Sequence, residues 1–271
     1  MIVGDSRPVR PAVGFWRLAA ASAVLQTRVL RSSLFELFTI LLVPVQTMGF
    51  VAIFQYAGRP DLDVYGVVAP ALIALWQVSL LISGEVIARE RDNQSLESLC
   101  AAPGRLSTVL IGRVSVVTVV SLFGLVLSGL TGWLVFGIRL VVGDVVVFVV
   151  SLLCTAIATA TTALLFSVFF VNSRSPRIFQ NGATYPFYVL GGVLVPVTLY
   201  PQWIQPLSRA VYLSWSADLL RDSVHATAVA GWAWRCGVVL ALALAAYLLA
   251  RWLLTMTLRN ARQEGKLGLN A

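Results

Sequence analysis

Histidine and lysine are almost absent from this sequence, which has one of each among its 271 residues. The lone histidine, His225, excludes a metal site built from several histidines and weakens any proposal of a nucleophile paired with a histidine. The lone lysine, Lys266, lies in Glu-Gly-Lys-Leu and not in a G-x-x-x-x-G-K-[ST] run, which excludes a Walker-type nucleotide loop. We therefore expect a chain that is not an enzyme and that binds no metal and no cofactor itself.

Charged residues are also scarce, at 12% of the chain against roughly a quarter in soluble proteins. Hydrophobic residues make up 58% of the chain. With so few charged residues, its surface cannot all face water, so lipid is expected to cover much of the protein surface. The three cysteines, Cys100, Cys154 and Cys236, share no metal or redox spacing and are expected to be small buried side chains.

Long apolar runs are abundant, and a bilayer core needs about 20 apolar residues per helix. Backbone groups in lipid must be bonded within their own segment, so runs of this length are predicted to be helices. The sequence thus predicts an all-α membrane protein with a six-helix transmembrane domain over residues 35–257. The six runs are 37–57, 66–87, 108–136, 145–171, 182–200 and 232–256.

The basic residues between these runs set the expected orientation, because cytoplasmic loops carry the excess of arginine and lysine. With a cytoplasmic amino terminus, 14 basic residues lie inside and five lie outside. We therefore expect a multi-pass protein of the cell (inner or plasma) membrane, with residues 1–34 and the tail 258–271 in the cytoplasm. Arginines in these places serve anchoring and topology, and they do not indicate a nucleic-acid partner.

Residues 12–34 predict an amphipathic helix lying on the membrane surface, with apolar side chains on one face and arginines on the other. A soluble helix packed on a partner is the alternative. The apolar face would comprise Phe15, Leu18, Ser22, Leu25 and Val29, and the basic face Arg17, Arg28 and Arg31.

Residues 201–231 are too polar to span but rich in aromatic residues typical of the membrane interface. They predict one or two short re-entrant helices dipping into the outer leaflet before the last span. The aromatic residues expected at headgroup level are Trp203, Tyr212, Trp215, Trp232 and Trp234.

The cytoplasmic loop 88–107 holds a charged stretch followed by a potential short helix. Ser95 can cap this helix, Leu96 and Leu99 share one face, and Pro103 ends it. A short helix with an apolar knob and a charged rim would fit a cleft on a cytosolic partner. The alternative is a solvated turn between two spans.

This loop resembles the membrane subunits of the ABC type-2 exporter family, whose pattern at the end of the second of six spans is E-R-E-x-G-T-L-E-x-L-x-x-x-P. Here Arg89-Glu90-Arg91 supplies the charged opening, Ser95-Leu96-Glu97 stands for T-L-E, and Leu99 and Pro103 keep their spacing. Gln94 departs from the family's usual glycine. The run from Pro201 to Arg221 is similar to the family's re-entrant segment, so the resemblance covers nearly the whole chain.

The resemblance implies a dimer of permease subunits, identical or not, that works with two cytosolic ATPase subunits, which would use the ATP and Mg. The implied coupling surface comprises Arg89, Glu90, Arg91, Ser95, Leu96, Glu97, Leu99 and Pro103. Substrate would pass between the two membrane subunits, and the implied lining residues are Phe38, Met48, Trp76 and Phe187.

The sequence also disfavours transport driven by a proton or sodium gradient. No carboxylate is expected near mid-membrane, where ion-coupled carriers place theirs. The interpretation that follows is the permease subunit of an ATP-driven exporter of drug-like, antibiotic or lipid-like amphiphiles. The alternatives are a polysaccharide or glycolipid export permease, a stand-alone carrier or channel, and a membrane enzyme acting on lipids.

Overall fold

A computed structural model of the protein describes residues 15–32, 34–92, 112, 116, 123–138, 142–172, 176–225 and 228–263. This part of the chain is helical and contains no strand, so the all-α prediction is confirmed for it. Its α-helices are α1 (Phe15–Ser32), α2 (Leu34–Tyr56), α3 (Asp63–Asp92), α4 (Phe123–Phe136), α5 (Val145–Asn172), α6 (Pro176–Leu190), α7 (Gln205–Arg209), α8 (Tyr212–His225) and α9 (Trp232–Gln263).

Three stretches among the described residues are long and apolar enough to cross a membrane: Pro60–Leu80, Val145–Phe169 and Trp232–Leu253. Two shorter apolar stretches, Leu41–Tyr56 and Phe123–Phe136, belong to α2 and α4. Each of the five overlaps a run that the sequence predicts as a span. The number of six crossings stays a prediction.

The fifth apolar run, 182–200, differs from its prediction because its helix α6 ends at Leu190. Gly191 packs against α8, where a Cβ on it would lie 2.8 Å from the Cβ of Leu213, and Gly192 has a φ of +58°. Only glycine adopts both positions without strain. Residues 191–196 therefore turn, Val197–Leu199 form one 3₁₀ turn, and the prediction of a helix through residue 200 is wrong from residue 191 onward.

The amino-terminal helix predicted over 12–34 is present as α1. Ser22 and Gln26, four residues apart, form its buried face, whereas Arg17 and Arg28 are exposed. Leu25 is also exposed, as expected for an apolar side chain that faces lipid. The position of α1 on a membrane surface stays a prediction.

The core lies where α3, α5, α6, α8 and α9 meet. α5 packs along α9, and small side chains such as Ala158 and Ala243 lie buried in this region, which lets the helices approach closely. Cys154 and Cys236 are buried free cysteines in the same core, which confirms their prediction as small buried side chains.

A buried chain of hydroxyls joins α2, α3 and α4 beside Pro70, a proline within α3. Proline has no amide proton and crowds the preceding turn, so carbonyls there need partners from elsewhere, and in lipid these come from neighbouring helices. Ser128 of α4 donates to the carbonyl of Val67 at 2.6 Å, and its Oγ lies 2.6 Å from the Oγ1 of Thr47 on α2. α4 thus bonds a carbonyl of α3 about one turn before Pro70.

Replacing Ser128 with alanine is expected to destabilise the protein by about 0.6–1.7 kcal/mol, the range measured for hydrogen bonds between membrane helices. The loss is expected because the Val67 carbonyl and Thr47 each lose their interhelical partner. Thermal unfolding of the purified protein in detergent measures the change.

Thr161→Ala is the matched control for that substitution. The hydroxyl of Thr161 bonds only to carbonyls of its own helix, those of Ile157 and Ala158, so its removal is expected to have a smaller effect. Equal melting temperatures for the two variants would contradict an interhelical role of Ser128.

Candidate functional site

The helix that leads to the predicted coupling surface is α3, which is unbroken from Asp63 to Asp92. At 1.5 Å per residue its 30 residues are about 45 Å long, which is more than the roughly 30 Å thickness of a bilayer core. Arg89, Glu90 and Arg91 lie on its last turn. The charged opening of the motif therefore continues the same helix that forms the core. The remaining predicted coupling residues, Ser95, Leu96, Glu97, Leu99 and Pro103, lie outside the described residues.

Two of the four predicted lining residues, Trp76 and Phe187, lie together. Their rings are stacked, with centroids 4.5 Å apart and planes 7° from parallel, and Phe166 meets the Trp76 ring edge-on at 5.7 Å. Trp76 is only 1% exposed, and its Nε1 has no partner among the described residues. The stack joins α3 to α6 and closes the space between them.

The other two predicted lining residues lie on α2, away from this stack. Met48 is on the exposed face of the helix, 42% accessible, and is open to lipid or to another subunit. Phe38 belongs to the helical backbone of α2, and its side chain lies outside the described part. Trp76 is thus buried whereas Met48 is exposed, and the role of the four positions in transport stays a prediction.

The five aromatic residues predicted at headgroup level differ in exposure, and Trp215 and Trp232 are half-buried against the core. Trp203 and Trp234 are exposed, as the interface prediction requires. Tyr212 is buried, and its hydroxyl donates to Thr159 Oγ1 of α5 at 2.9 Å, so it packs inside the protein, and its predicted depth in the membrane stays a prediction. Its position at the start of α8 turns the ring toward Trp76, 6.4 Å away between centroids.

The side chains of Tyr200 and Ser208 bond carbonyls at the carboxyl end of α6. A helix leaves its last carbonyls without partners inside the helix, and these must bond elsewhere when the end is buried. Tyr200 donates to the Val189 carbonyl at 2.7 Å, and Ser208 donates to the Leu190 carbonyl. Two of the last carbonyls of α6 are thus bonded by side chains of the protein.

Arg221 of α8 completes this closure and is 2% exposed. Its Nη1 donates to the Gly192 carbonyl at 3.0 Å and its Nη2 donates to the Val193 carbonyl. Its guanidinium carbon lies 3.7 Å from the centroid of the Tyr65 ring near the start of α3. Burial lowers the pKa of Arg221 to about 10, which still leaves it a cation at neutral pH. A cation here complements the negative end of the α6 dipole.

Two further ion pairs surround Arg221. Arg209 bonds Asp218 at 2.7 Å, and Arg235 of α9 bonds Asp222 of α8 at 2.6 Å. Asp218 also lies 3.9 Å from Arg221, so it is placed between two arginines. Among the residues that the structure describes, no group of three His, Cys, Asp or Glu side chains could hold a metal ion.

Sequence reasoning counts Arg221 only as an outer charge and misses its burial. A signal was present, since Arg221 continues the apolar stripe of α8 formed by Leu213, Ala217 and Val224 at helical spacing. An arginine within such a stripe indicates a buried cation with partners on another element. Its partners could not be found in the same way, because they are backbone carbonyls.

Over the described residues, these features describe a helical protein with long apolar stretches, a carboxyl end of α6 that is bonded by side chains, and a helix α3 that continues from the core to the charged opening of the motif. A family model described as ABC-2 type transporter matches residues 15–225, which is more than half of the chain. The chain therefore belongs to the ABC-2 type transporter family and is a membrane-embedded transporter permease. Curated protein sequences give no significant match to it.

Proposed function

We propose that this chain is the permease subunit of an ATP-driven exporter that moves drug-like, antibiotic or lipid-like amphiphiles out of the cytoplasm. Its family membership carries the proposal, since ABC-2 permeases generally associate with ABC ATPases. Two permease subunits and two cytosolic ATPase subunits would form the working complex, and the ATPases would bind the ATP and Mg.

The proposed topology has six crossings, both termini in the cytoplasm, and α7 and α8 within the outer leaflet. Closure of the α6 end by Tyr200, Ser208 and Arg221 supports this depth, because an end in bulk water would need no such partners. The exposed side chains of Trp203 and Trp234 suit the level of the lipid headgroups.

The proposed mechanism uses α3 as the element that transmits force. Approach of the ATPases would press on the loop 93–107, which follows directly from Asp92, the last residue of α3. Because α3 is a continuous helix, movement of its charged end would reach the core around Trp76. This shift would bias the subunit between inward-open and outward-open states.

The composition of the described spans favours an amphiphilic cargo. Exposed side chains of α2, such as Leu41, Val45 and Met48, are apolar, so a subunit surface built from them favours hydrocarbon over sugar. Export of a glycolipid or polysaccharide is the competing outcome of a cargo screen.

Reversing the charge of Glu97 tests the coupling role. With the chain and its ATPase reconstituted in liposomes, Glu97→Arg is expected to lower ATP-dependent transport of a fluorescent amphiphile about tenfold or more. A lost contact at the coupling surface would lower transport because the ATPase stroke would no longer reach α3.

Asp61→Arg is the matched control, since Asp61 is exposed on the outer side of the proposed topology and pairs with Arg59. It is expected to keep near-normal transport. Unchanged transport in Glu97→Arg would contradict the coupling role, and transport without any ATPase would show a stand-alone carrier.

A further inference from the structure

Arg221 joins parts of the two helices that carry the predicted lining residues Trp76 and Phe187, α3 and α6. It bonds the turn that ends α6 through the carbonyls of Gly192 and Val193, and it lies against Tyr65 near the start of α3. We infer that Arg221 is a positioning residue that fastens the outer ends of α3 and α6 to α8. These ends then move as one unit, and cargo passes outside this contact and not between α3 and α6.

Chemistry explains why arginine is suited to this position. A guanidinium presents several donors in one plane, so it can bond two carbonyls at its edge while its face rests on an aromatic ring. A lysine ammonium is a single point charge, so it cannot bond the two carbonyls and contact the aromatic ring equally well. The side chain is buried, so each contact is made without competition from bulk water.

Contacts deeper along α3 and α6 agree with a single unit. The hydroxyl of Tyr188 donates to the Ile73 carbonyl at 3.2 Å, and one turn deeper Trp76 stacks on Phe187. The two helices are therefore joined at three levels by a cation, a hydrogen bond and a ring stack. Separating them would break all three, whereas moving them together breaks none.

Arg209 provides a matched control for Arg221. Both arginines lie near Asp218, but the side chain of Arg209 is 34% exposed and its described contacts are with Asp218 and Trp215 of α8. Substituting glutamine for either one removes one positive charge near the same carboxylate. Only the change at Arg221 removes a contact that links α3 with the turn after α6.

Hydrogen–deuterium exchange of the purified full-length chain in nanodiscs tests the fastening without any cargo. In Arg221→Gln, amides of both 60–70 and 188–200 are expected to exchange about tenfold faster or more, since charge-assisted hydrogen bonds are lost. Arg209→Gln is expected to leave both segments close to wild type, and Arg221→Lys to give intermediate rates. The inference would be overturned if Arg221→Gln raised exchange in only one of the two segments or in neither. It would also be overturned if Arg209→Gln raised exchange as much as Arg221→Gln.

Substitutions of Tyr65 keep the test decisive if Arg221→Gln does not fold. Tyr65→Leu removes the ring face and is expected to raise exchange in both segments about threefold to thirtyfold, as a lost buried cation–π contact would. Tyr65→Phe keeps the ring face and loses only the hydroxyl, so its exchange is expected to stay closer to wild type than that of Tyr65→Leu. Identical exchange in Tyr65→Leu and Tyr65→Phe would contradict a link through Tyr65.

The statement about the cargo path rests on the proposed function and needs the complex with its ATPase. With ATP and vanadate added, segments 60–70, 188–200 and 212–225 are expected to keep their protection or change it together. Loss of protection in 60–70 alone would show that α3 parts from α6 and would overturn this statement. A complex that never transports would refute the proposed function, while the exchange rates of the Arg221 variants would still decide the fastening.

Discussion

Replacing Gly66 with leucine is expected to destabilise the protein by about 3 kcal/mol or more, the upper range for overpacking a close contact. A Cβ on Gly66 of α3 would lie 2.7 Å from Cγ2 of Val51 on α2, and 3.1 and 3.2 Å from the backbone nitrogen and Cα of Val51. Backbone atoms cannot rotate away as a side chain can, so α2 and α3 would have to separate. Since proteins are stable by only about 5–15 kcal/mol, a large fall in folded yield and melting temperature in detergent is expected.

Gly49→Leu is the control for this substitution. Gly49 is also a helical glycine, on α2, but among the described residues no atom outside its own stretch of helix lies within 4 Å of a Cβ built on it. Leucine there meets no clash and gains up to about 1 kcal/mol of helix propensity over glycine. Its melting temperature is therefore expected to equal or exceed that of the wild type. A Gly66→Leu protein as stable as Gly49→Leu would show that α2 and α3 do not pack closely at Val51.

The helices were predictable from the sequence because in lipid the backbone has no alternative to helix over long apolar runs. The Val-rich start of α5, Val145–Val150, is helical although valine favours strands. The early end of α6 was harder to predict. Residues 193–199 are still largely apolar, and the end depends on Gly191 meeting Leu213, a contact between residues far apart in sequence.

The candidate site was predictable only in part, for a similar reason. Periodicity and motif spacing indicate which residue types recur, and they place the charged opening of the coupling motif at the end of α3. They do not show which faces meet. The stacking of Trp76 on Phe187, the burial of Tyr212 and the carbonyl partners of Arg221 all depend on how α3, α6 and α8 pack.

Replacing Trp76 with alanine is expected to cost about 3–5 kcal/mol of stability, the range for removing a buried large aromatic side chain. The ring is stacked on Phe187 and meets Phe166 edge-on, so its loss would leave a cavity between α3, α5 and α6. Trp76→Phe is expected to cost much less, about 1.5 kcal/mol or less, since it keeps an aromatic ring and removes a buried N–H that has no partner among the described residues. Melting temperatures of the purified variants measure both.

Trp203→Ala is the matched control, because Trp203 is 78% exposed and its removal is expected to change stability by no more than about 0.5 kcal/mol.

Comparing Trp76→Ala with Trp76→Phe also separates the two roles considered for Trp76. If Trp76 supports the α3–α6 contact, Trp76→Ala lowers the melting temperature, and Trp76→Phe keeps both stability and the cargo concentration for half-maximal transport. If Trp76 contacts cargo, Trp76→Phe changes that concentration while the melting temperature stays constant, which would contradict a closed contact between α3 and α6.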